Sequence, residues 1–162
     1  MANQVAYWSG ATNRGVELFL VLLGVGMALL TGAQVFFRYV LNHSLFWSEE
    51  VGRICLVWLS FLGATAAYRR GAHIGIGFFV EKLPQRLRFG LRILVQLASL
   101  AFFIVLIVAG GQFVWFAAGH KTPALGISKF IPYLIMPLSG LVFTIHGCHQ
   151  LLELVLERPE DR

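Results

Sequence analysis

Apolar residues fall into four long runs along this chain, separated by segments that are richer in charged residues, glycine and proline. The first run, residues 18–37, holds 20 consecutive residues without a formal charge. A helix needs about 20 mostly apolar residues to cross the hydrocarbon layer of a bilayer. The pattern therefore predicts an all-α membrane protein with four spans in a single domain, residues 1–162. The expected spans are at about residues 16–38, 47–68, 91–118 and 130–152.

The loop between the second and third runs carries a helical pattern of its own. Phe79, Leu83 and Leu87 recur every four residues, with basic residues on the other faces. This spacing is typical of a helix that lies in the plane of the membrane surface. Pro84 favours the first turn of a new helix, so we expect a short amphipathic interfacial helix at about residues 74–83 before the third span. A loop whose leucines merely rest on lipid is the alternative.

The composition agrees with a membrane protein and excludes several other classes. Hydrophobic residues make up 57% of the chain and charged residues 13%, too few to cover the surface of a soluble protein of this size. An ordinary soluble enzyme, a disordered tail and a disulfide-rich secreted module are therefore excluded. Cys55 and Cys148 belong to opposite depths of the predicted bundle, so we expect no disulfide between them.

The distribution of cations predicts the orientation of the chain. The N-terminal segment, the second loop and the tail hold nine Lys and Arg residues, against three on the opposite face. Short loops rich in cations stay in the cytoplasm, so we expect both termini to be cytoplasmic and the net charge of +5 to report orientation, not nucleic-acid binding. The first run is too long for a signal peptide and should remain as an anchor. The expected contacts to phospholipid headgroups are Arg69, Arg70, His73, Lys82, Arg86, Arg88 and Arg92.

Acidic and basic residues stand together at the start of the second span. Glu49 and Glu50 precede Arg53 by four and three residues, so the cation can meet either acid on one helical face. One interpretation is a carboxylate that carries a proton or a cation. We favour a polar clamp against another helix or subunit, because the group lies near the end of a span and not at its middle. The expected contact residues are Arg38, Trp47, Glu49, Glu50, Arg53 and Trp58.

Small residues also recur every four positions on the first two spans. Such spacing lets two helices approach closely, inside the bundle or between subunits. The ordinary enrichment of glycine in membrane helices is an equal alternative. The residues concerned are Gly24, Ala28 and Gly32 on the first span and Gly63 and Ala67, followed by Gly71, on the second.

Residue types that carry catalysis or bind metals are sparse. His146 and His149 lie three residues apart near the end of the last span, with Glu153 four residues further on. They could offer metal ligands on one face, but polar groups at a membrane boundary explain them as well. The sequence has no nucleophile, metal or phosphate-loop arrangement, so we expect no enzymatic activity, no metal site and no cofactor.

Several segments together resemble a known family of transporter subunits. The similarity covers about residues 15–152 and is carried by Phe37-Arg38-Tyr39, Trp47-Ser48-Glu49-Glu50-x-x-Arg53-x-x-x-x-Trp58, Phe61-Leu62-Gly63-Ala64, Arg69-x-x-x-His73 and Thr122-Pro123-Ala124-Leu125-Gly126-Ile127, followed by Tyr133 and Pro137-Leu138. These motifs are similar to those of the small membrane subunit of tripartite ATP-independent periplasmic (TRAP) transporters.

The resemblance implies a location and partners. It implies a multi-pass protein of the bacterial inner membrane that works with a large membrane subunit and a periplasmic substrate-binding protein. In such systems the large subunit is expected to carry organic acids, carboxylates or sialic-acid-like sugar acids, together with sodium in an elevator motion. The small subunit is expected to scaffold that motion, and no cofactor is expected in it.

Two other classes of function remain open from the residues. A stand-alone four-helix transporter would need an essential carboxylate deep in a span, and Glu17, at the inner end of the first helix, fits this poorly. A membrane assembly factor or enzyme subunit would need clustered ligands or nucleophiles, for which only His146 and His149 qualify.

Overall fold

The helical elements follow the apolar runs. The computed structural model describes residues 2–70 and 84–156, except for the side chains of residues 2–9, 11 and 86. The helices are α1 (Ala2–Tyr39), α2 (Phe46–Arg69), α3 (Gln85–Ala117), α4 (Phe130–Tyr133) and α5 (Ile135–Leu156). The segments long and apolar enough to cross a membrane are Thr12–Tyr39, Phe46–Arg69, Leu87–Ala117 and Phe130–Leu156. The predicted fold class, an all-α protein with four membrane spans, is confirmed.

The second loop is described only in part. The predicted interfacial helix at residues 74–83, with His73 and Lys82, lies outside the described residues, as does the side chain of Arg86. Pro84 directly precedes α3, and its carbonyl accepts a hydrogen bond from the N–H of Arg88 at 2.9 Å. Proline suits this position because its missing N–H is not needed at a helix start. α3 has 33 residues, or about 50 Å of helix.

The fourth membrane segment is interrupted near its start. Leu134 separates α4 from α5, three residues before Pro137. Proline has no N–H to bond the carbonyl four residues back, which breaks the regular helical pattern at this point.

α5 occupies the centre of the bundle. It contacts α1, α2 and α3, while α3 packs mainly on α5 and α4. One end of the bundle, the basic end, gathers the start of α1, the end of α2, the start of α3 and the end of α5. The other end, the loop end, carries residues 40–45 and 118–129. Many large apolar side chains face outward, as expected for a protein whose surroundings are lipid.

Glycines permit α3 and α5 to pack closely against each other. A Cβ atom on Gly140 would lie 2.8 Å from Ile107 Cγ1 and 3.3 Å from the Phe103 carbonyl oxygen. A Cβ on Gly147 would lie 2.8 Å from Leu100 Cδ2. Distances below 3 Å are not tolerated, so only glycine fits without a shift.

Among the described residues, the glycines singled out on the first two spans do not make such contacts. A Cβ atom on Gly24, Gly32 or Gly63 would meet nothing within 4 Å. Ala28 and Ala67 are exposed. The close glycine contacts of the described residues are instead made between α3 and α5. The role of the small residues of the first two spans between subunits remains a prediction.

A polar and aromatic cluster joins α2, α3 and α5 near the basic end. Gln96 Nε2 donates hydrogen bonds to Tyr68 Oη at 2.9 Å and to the Gly147 carbonyl at 2.8 Å. The Tyr68 ring stands edge-on to Phe103 and Phe143, which stack on each other with centroids 4.7 Å apart. Hydrogen-bonding groups buried in this way fix one packing arrangement, because any other leaves them unsatisfied.

Candidate functional site

The carboxylate of Glu50 fastens the loop at residues 118–129 to the start of α2. Its Oε2 atom accepts hydrogen bonds from the backbone N–H groups of Ala124 at 3.0 Å and Leu125 at 2.8 Å. Hydrogen bonds to an ionised acceptor are stronger than those between neutral groups. We call this arrangement the Glu50 latch. It joins residues that are 74 and 75 positions apart in the sequence.

The shape of the loop presents these two N–H groups. The N–H of Thr122 donates to the Ile127 carbonyl at 2.8 Å, and the N–H of Gly126 donates to the Thr122 carbonyl at 3.0 Å. Gly126 has a φ of 67°, a left-handed conformation that glycine adopts without steric cost. The turn therefore closes on itself and leaves the N–H groups of Ala124 and Leu125 for Glu50.

Three further hydrogen bonds fix the loop and the helix that follows it, α4. The Ser128 hydroxyl donates to the Ala118 carbonyl at 2.8 Å and accepts the N–H of Phe130 at 3.2 Å. The indole N–H of Trp58 donates to the Pro132 carbonyl at 3.2 Å. Trp58 lies eight residues after Glu50, so both side chains point from the same face of α2 toward the loop and α4.

The expected ion pairs of Glu49 and Glu50 with Arg53 are not formed. Within residues 2–70 and 84–156, Arg53 makes no salt bridge, and Glu50 is bonded to the loop instead. Glu49 and Arg53 are both exposed. The predicted pairing is therefore corrected. Two backbone donors bind Glu50 without the rotamer entropy that a flexible guanidinium would lose.

Glu49 and Arg53 belong to an exposed row of residues along α2. The row follows helical spacings of four, three, four and seven positions, so its members share one face. We call it the outward stripe: Glu49, Arg53, Leu56, Ser60 and Ala67. It begins beside Trp47, which is 43% exposed. The charged residues Glu49 and Arg53 thus lie on the same face of α2 as Ala67, one of the small residues singled out on the second span.

Arg38 and Trp58, which were also expected at a subunit contact, occupy different surroundings. Arg38 is exposed at the loop end, with its guanidinium carbon 6.0 Å from the ring centre of Tyr39. Trp58 is half-buried, and its ring centre lies 6.1 Å from that of Phe19 on α1. Trp58 is thus a contact within the chain.

Of the basic residues expected at lipid headgroups, those with described side chains, Arg69, Arg70, Arg88 and Arg92, lie at the basic end. Arg70 Nη2 forms an ion pair with Glu17 Oε1 at 2.7 Å, while Arg69 and Arg92 are exposed. His149 Nδ1 lies 3.5 Å from Glu153 Oε2. In the part of the chain that the structure describes, no three His, Cys, Asp or Glu side chains gather as metal ligands.

Sequence comparison gives the family. The family model described as "Tripartite ATP-independent periplasmic transporters, DctQ component" matches residues 27–157. The match includes α2 with the Glu50 latch, the loop at residues 118–129 and all of α3 to α5. The chain belongs to this family. It is a TRAP small permease, a multi-pass inner-membrane protein of a family that is not enzymatic.

Individual relatives agree with the family. The sialic acid TRAP transporter small permease protein of Vibrio cholerae is 29% identical over 143 residues, 88% of this chain and 83% of that protein. The ectoine TRAP transporter small permease protein of Halomonas elongata is 34% identical over 130 residues, 78% of this chain and 67% of that protein. The sialic acid TRAP transporter permease protein of Haemophilus influenzae is 30% identical over 95 residues, 59% of this chain but 14% of that protein.

Some structural residues of the small permease escaped the sequence analysis. Gly140 and Gly147 are seven residues apart, whereas the small residues singled out on the first two spans recur every four positions. A spacing of seven also places two glycines on one helix face, so it is a signal in the sequence for their role in packing. The partners of Glu50 are backbone N–H groups, which leave no mark on residue identity, and Pro123 just before them was the one available sign of a turn.

Proposed function

We propose that the small permease is a static scaffold for the large membrane subunit of a TRAP transporter. The assembled transporter would take up an organic acid with sodium, delivered by a periplasmic binding protein, and the small permease would carry no substrate itself. The proposal is supported by its helices, since α1, α2 and α3 run without interruption through their apolar spans. Substrate sites in secondary transporters use broken helices near the middle of the membrane.

The outward stripe is the observation that carries this proposal. A charged side chain inside a membrane span is costly unless it meets a partner or reaches water. Arg53 is exposed within the span Phe46–Arg69 and makes no ion pair among the described residues. Ala67, on the same face, would allow a neighbouring helix to approach closely. A protein partner against this face would satisfy both features.

A comparison supports the large subunit as that partner. The matching segment of the Haemophilus influenzae permease protein occupies only 14% of its length. In that protein, a segment similar to the small permease is therefore joined covalently to a much longer chain. Such a fusion is expected where two membrane proteins act as one unit.

The orientation of the small permease is part of the proposal. The cation count favours cytoplasmic termini, which places the basic end inside and the loop end at the periplasmic face. The Glu50 latch would then hold a defined surface on the side where a periplasmic binding protein arrives. A rigid loop loses less entropy on docking than a mobile one.

Co-purification tests the scaffold proposal. Tagged small permease, expressed with the large membrane subunit of its own transporter, should recover that subunit in constant ratio from detergent extracts. Arg53→Ala should lower the recovery, because it leaves the partner group of Arg53 unpaired in the membrane. Ala67→Leu should lower it too, by keeping the helices apart. The measurement is the ratio of the two subunits after gel filtration.

Matched variants control for general damage. Lys121→Ala removes an exposed cation of the loop end, and Ala98→Leu enlarges an exposed alanine of α3. Neither lies on the outward stripe, so both should leave the ratio unchanged. Equal recovery for all four variants would contradict the outward stripe as the contact surface, and no recovery even for the unaltered chain would contradict the scaffold function.

A further inference from the structure

A polar cleft opens at the basic end of the bundle, between α1, α2 and α5. It has a volume of about 580 Å³, within the range of ordinary ligand sites. Arg14 and Glu17 line it from α1, Arg69 from the end of α2, and His149 from α5. None of these residues belongs to the Glu50 latch or to the outward stripe, so the cleft is a separate feature of the chain.

The three arginines that line this cleft differ in whether a carboxylate neutralises their charge. Arg70 is paired with Glu17 at 2.7 Å. Arg14 and Arg69 also line the cleft, and neither forms an ion pair within the described ranges 2–70 and 84–156. Arg69 Nη2 lies 3.7 Å from the position of a Cβ atom on Gly10 of α1, so its guanidinium reaches across from α2. Two guanidinium groups on one cleft favour an anion with several oxygen acceptors.

A buried hydrogen-bond acceptor in the same cleft favours an anionic ligand that also carries a hydrogen-bond donor. Asn13 lines the cleft and is only 5% exposed. Its Nδ2 donates to Glu17 Oε1 at 2.9 Å, which fixes the orientation of the amide. Its Oδ1 has no hydrogen-bond partner among the residues described. A buried acceptor left in this state is unfavourable, so a donor from a ligand would stabilise it.

The position of the cleft relative to the membrane also limits which ligands can reach it. Arg69 is the last residue of the span Phe46–Arg69, and Arg14 lies in the first turn of the span Thr12–Tyr39. Residues at the ends of spans lie at the level of the lipid headgroups, where phosphate is the abundant anion.

We propose that this cleft binds a phosphate group, held by Arg14 and Arg69, on a molecule that donates a hydrogen bond to Asn13 Oδ1. A phospholipid headgroup carrying an ammonium or hydroxyl group has this chemistry, and free inorganic phosphate has it in its monoprotonated and diprotonated forms. The site is formed by this chain alone and does not depend on the proposed scaffold function.

Native mass spectrometry of the purified full chain in detergent tests the site. Phosphatidylglycerol and phosphatidylethanolamine should bind with one site per chain, and diacylglycerol, which lacks the phosphate, should not. Arg69→Gln should weaken lipid binding about tenfold, the effect of losing one charge-assisted contact. Arg92→Gln is the matched control, since it removes an exposed cation from the same end of the bundle but outside the cleft.

A variant with the opposite sign separates binding from damage to the fold. Glu17→Gln removes the carboxylate that neutralises Arg70, so phosphate binding should become tighter, an effect that a misfolded chain would not give. Arg14→Gln replaces Arg69→Gln if the latter does not elute as a single species.

Displacement of the lipid by millimolar inorganic phosphate would identify free phosphate as the ligand, and its persistence would identify the headgroup. Equal weakening by Arg69→Gln and Arg92→Gln, no weakening by Arg69→Gln, or weakening by Glu17→Gln would overturn the proposal.

Discussion

Glu49 and Glu50 are adjacent carboxylates with different surroundings. Glu50 lies on the face of α2 that meets the loop at residues 118–129 and accepts two backbone N–H groups. Glu49 is turned by one helical position, about 100°, and is exposed on the outward stripe. A contact within the chain and a candidate contact with another subunit thus stand side by side, and substitutions can separate them.

At this scale we predict that Glu50→Ala frees the loop at residues 118–129. The N–H groups of Ala124 and Leu125 would lose their acceptor, at a cost of about 1–3 kcal/mol, so the loop should open about tenfold more often. Trypsin cleaves after lysine, and the exposed Lys121 lies within this loop. The rate of cleavage after Lys121 in the folded chain, followed by mass spectrometry, measures the opening.

Glu49→Ala and Glu50→Gln are the controls for this prediction. Glu49→Ala removes the neighbouring carboxylate, which is exposed and to which the described loop donates no hydrogen bond, and should leave the cleavage rate unchanged. Glu50→Gln keeps an oxygen that accepts the two N–H groups and should raise the rate much less than Glu50→Ala. The same rate for Glu49→Ala and Glu50→Ala would show that the latch does not hold the loop.

The helices α3 and α5 leave little room between them at Gly140 and Gly147. Gly140 faces both a side-chain and backbone atoms of α3, whereas the nearest neighbour of Gly147 is the end of the flexible Leu100 side chain. Backbone cannot move away without bending a helix, but a leucine can change its rotamer. The two glycines should therefore differ in their tolerance of a methyl group.

We predict that Gly140→Ala destabilises the isolated chain by about 1–3 kcal/mol, the usual effect of overpacking, and that Gly147→Ala costs less. Gly32→Ala is the control, because no described residue lies within 4 Å of its added Cβ and alanine is a better helix former than glycine. The midpoint of thermal unfolding in detergent, followed by circular dichroism, compares the three. An unfolding midpoint for Gly140→Ala at or above that of Gly32→Ala would contradict the close crossing of α3 and α5.

For the bundle as a whole, the sequence predicts the membrane spans because length and hydropathy decide them in lipid. The sequence does not predict which residues of different helices are in contact. Lipid is as apolar as leucine, so the side of a helix that faces lipid and the side that faces the bundle have the same apolar pattern. Glu50 could be placed on a helix, but its bond to Ala124 depends on how α4 and α5 return along α2. Gly24 and Gly140 look alike in the sequence and differ only in what lies opposite them.

We expect no transport by the isolated chain. The buried polar side chains Thr65 and Ser139 donate to backbone carbonyls of their own helices, and Gln96 is bonded to Tyr68 and Gly147. These groups are already satisfied, so they offer no free coordination to a charged solute crossing the membrane. The small permease alone in liposomes should therefore show no sodium-driven uptake of an organic acid above that of protein-free vesicles.

The measurement uses the radiolabelled acid that stabilises the transporter's own binding protein in a thermal-shift screen. Vesicles that contain both membrane subunits, with the binding protein added outside, are the positive control and should accumulate the acid. If the small permease alone takes up the acid, and Glu49→Gln or Glu50→Gln abolishes that uptake, the chain is a transporter in its own right. In that case these carboxylates would couple uptake of the acid to sodium. Arg53 beside them would then influence their charge and would not be part of a subunit contact.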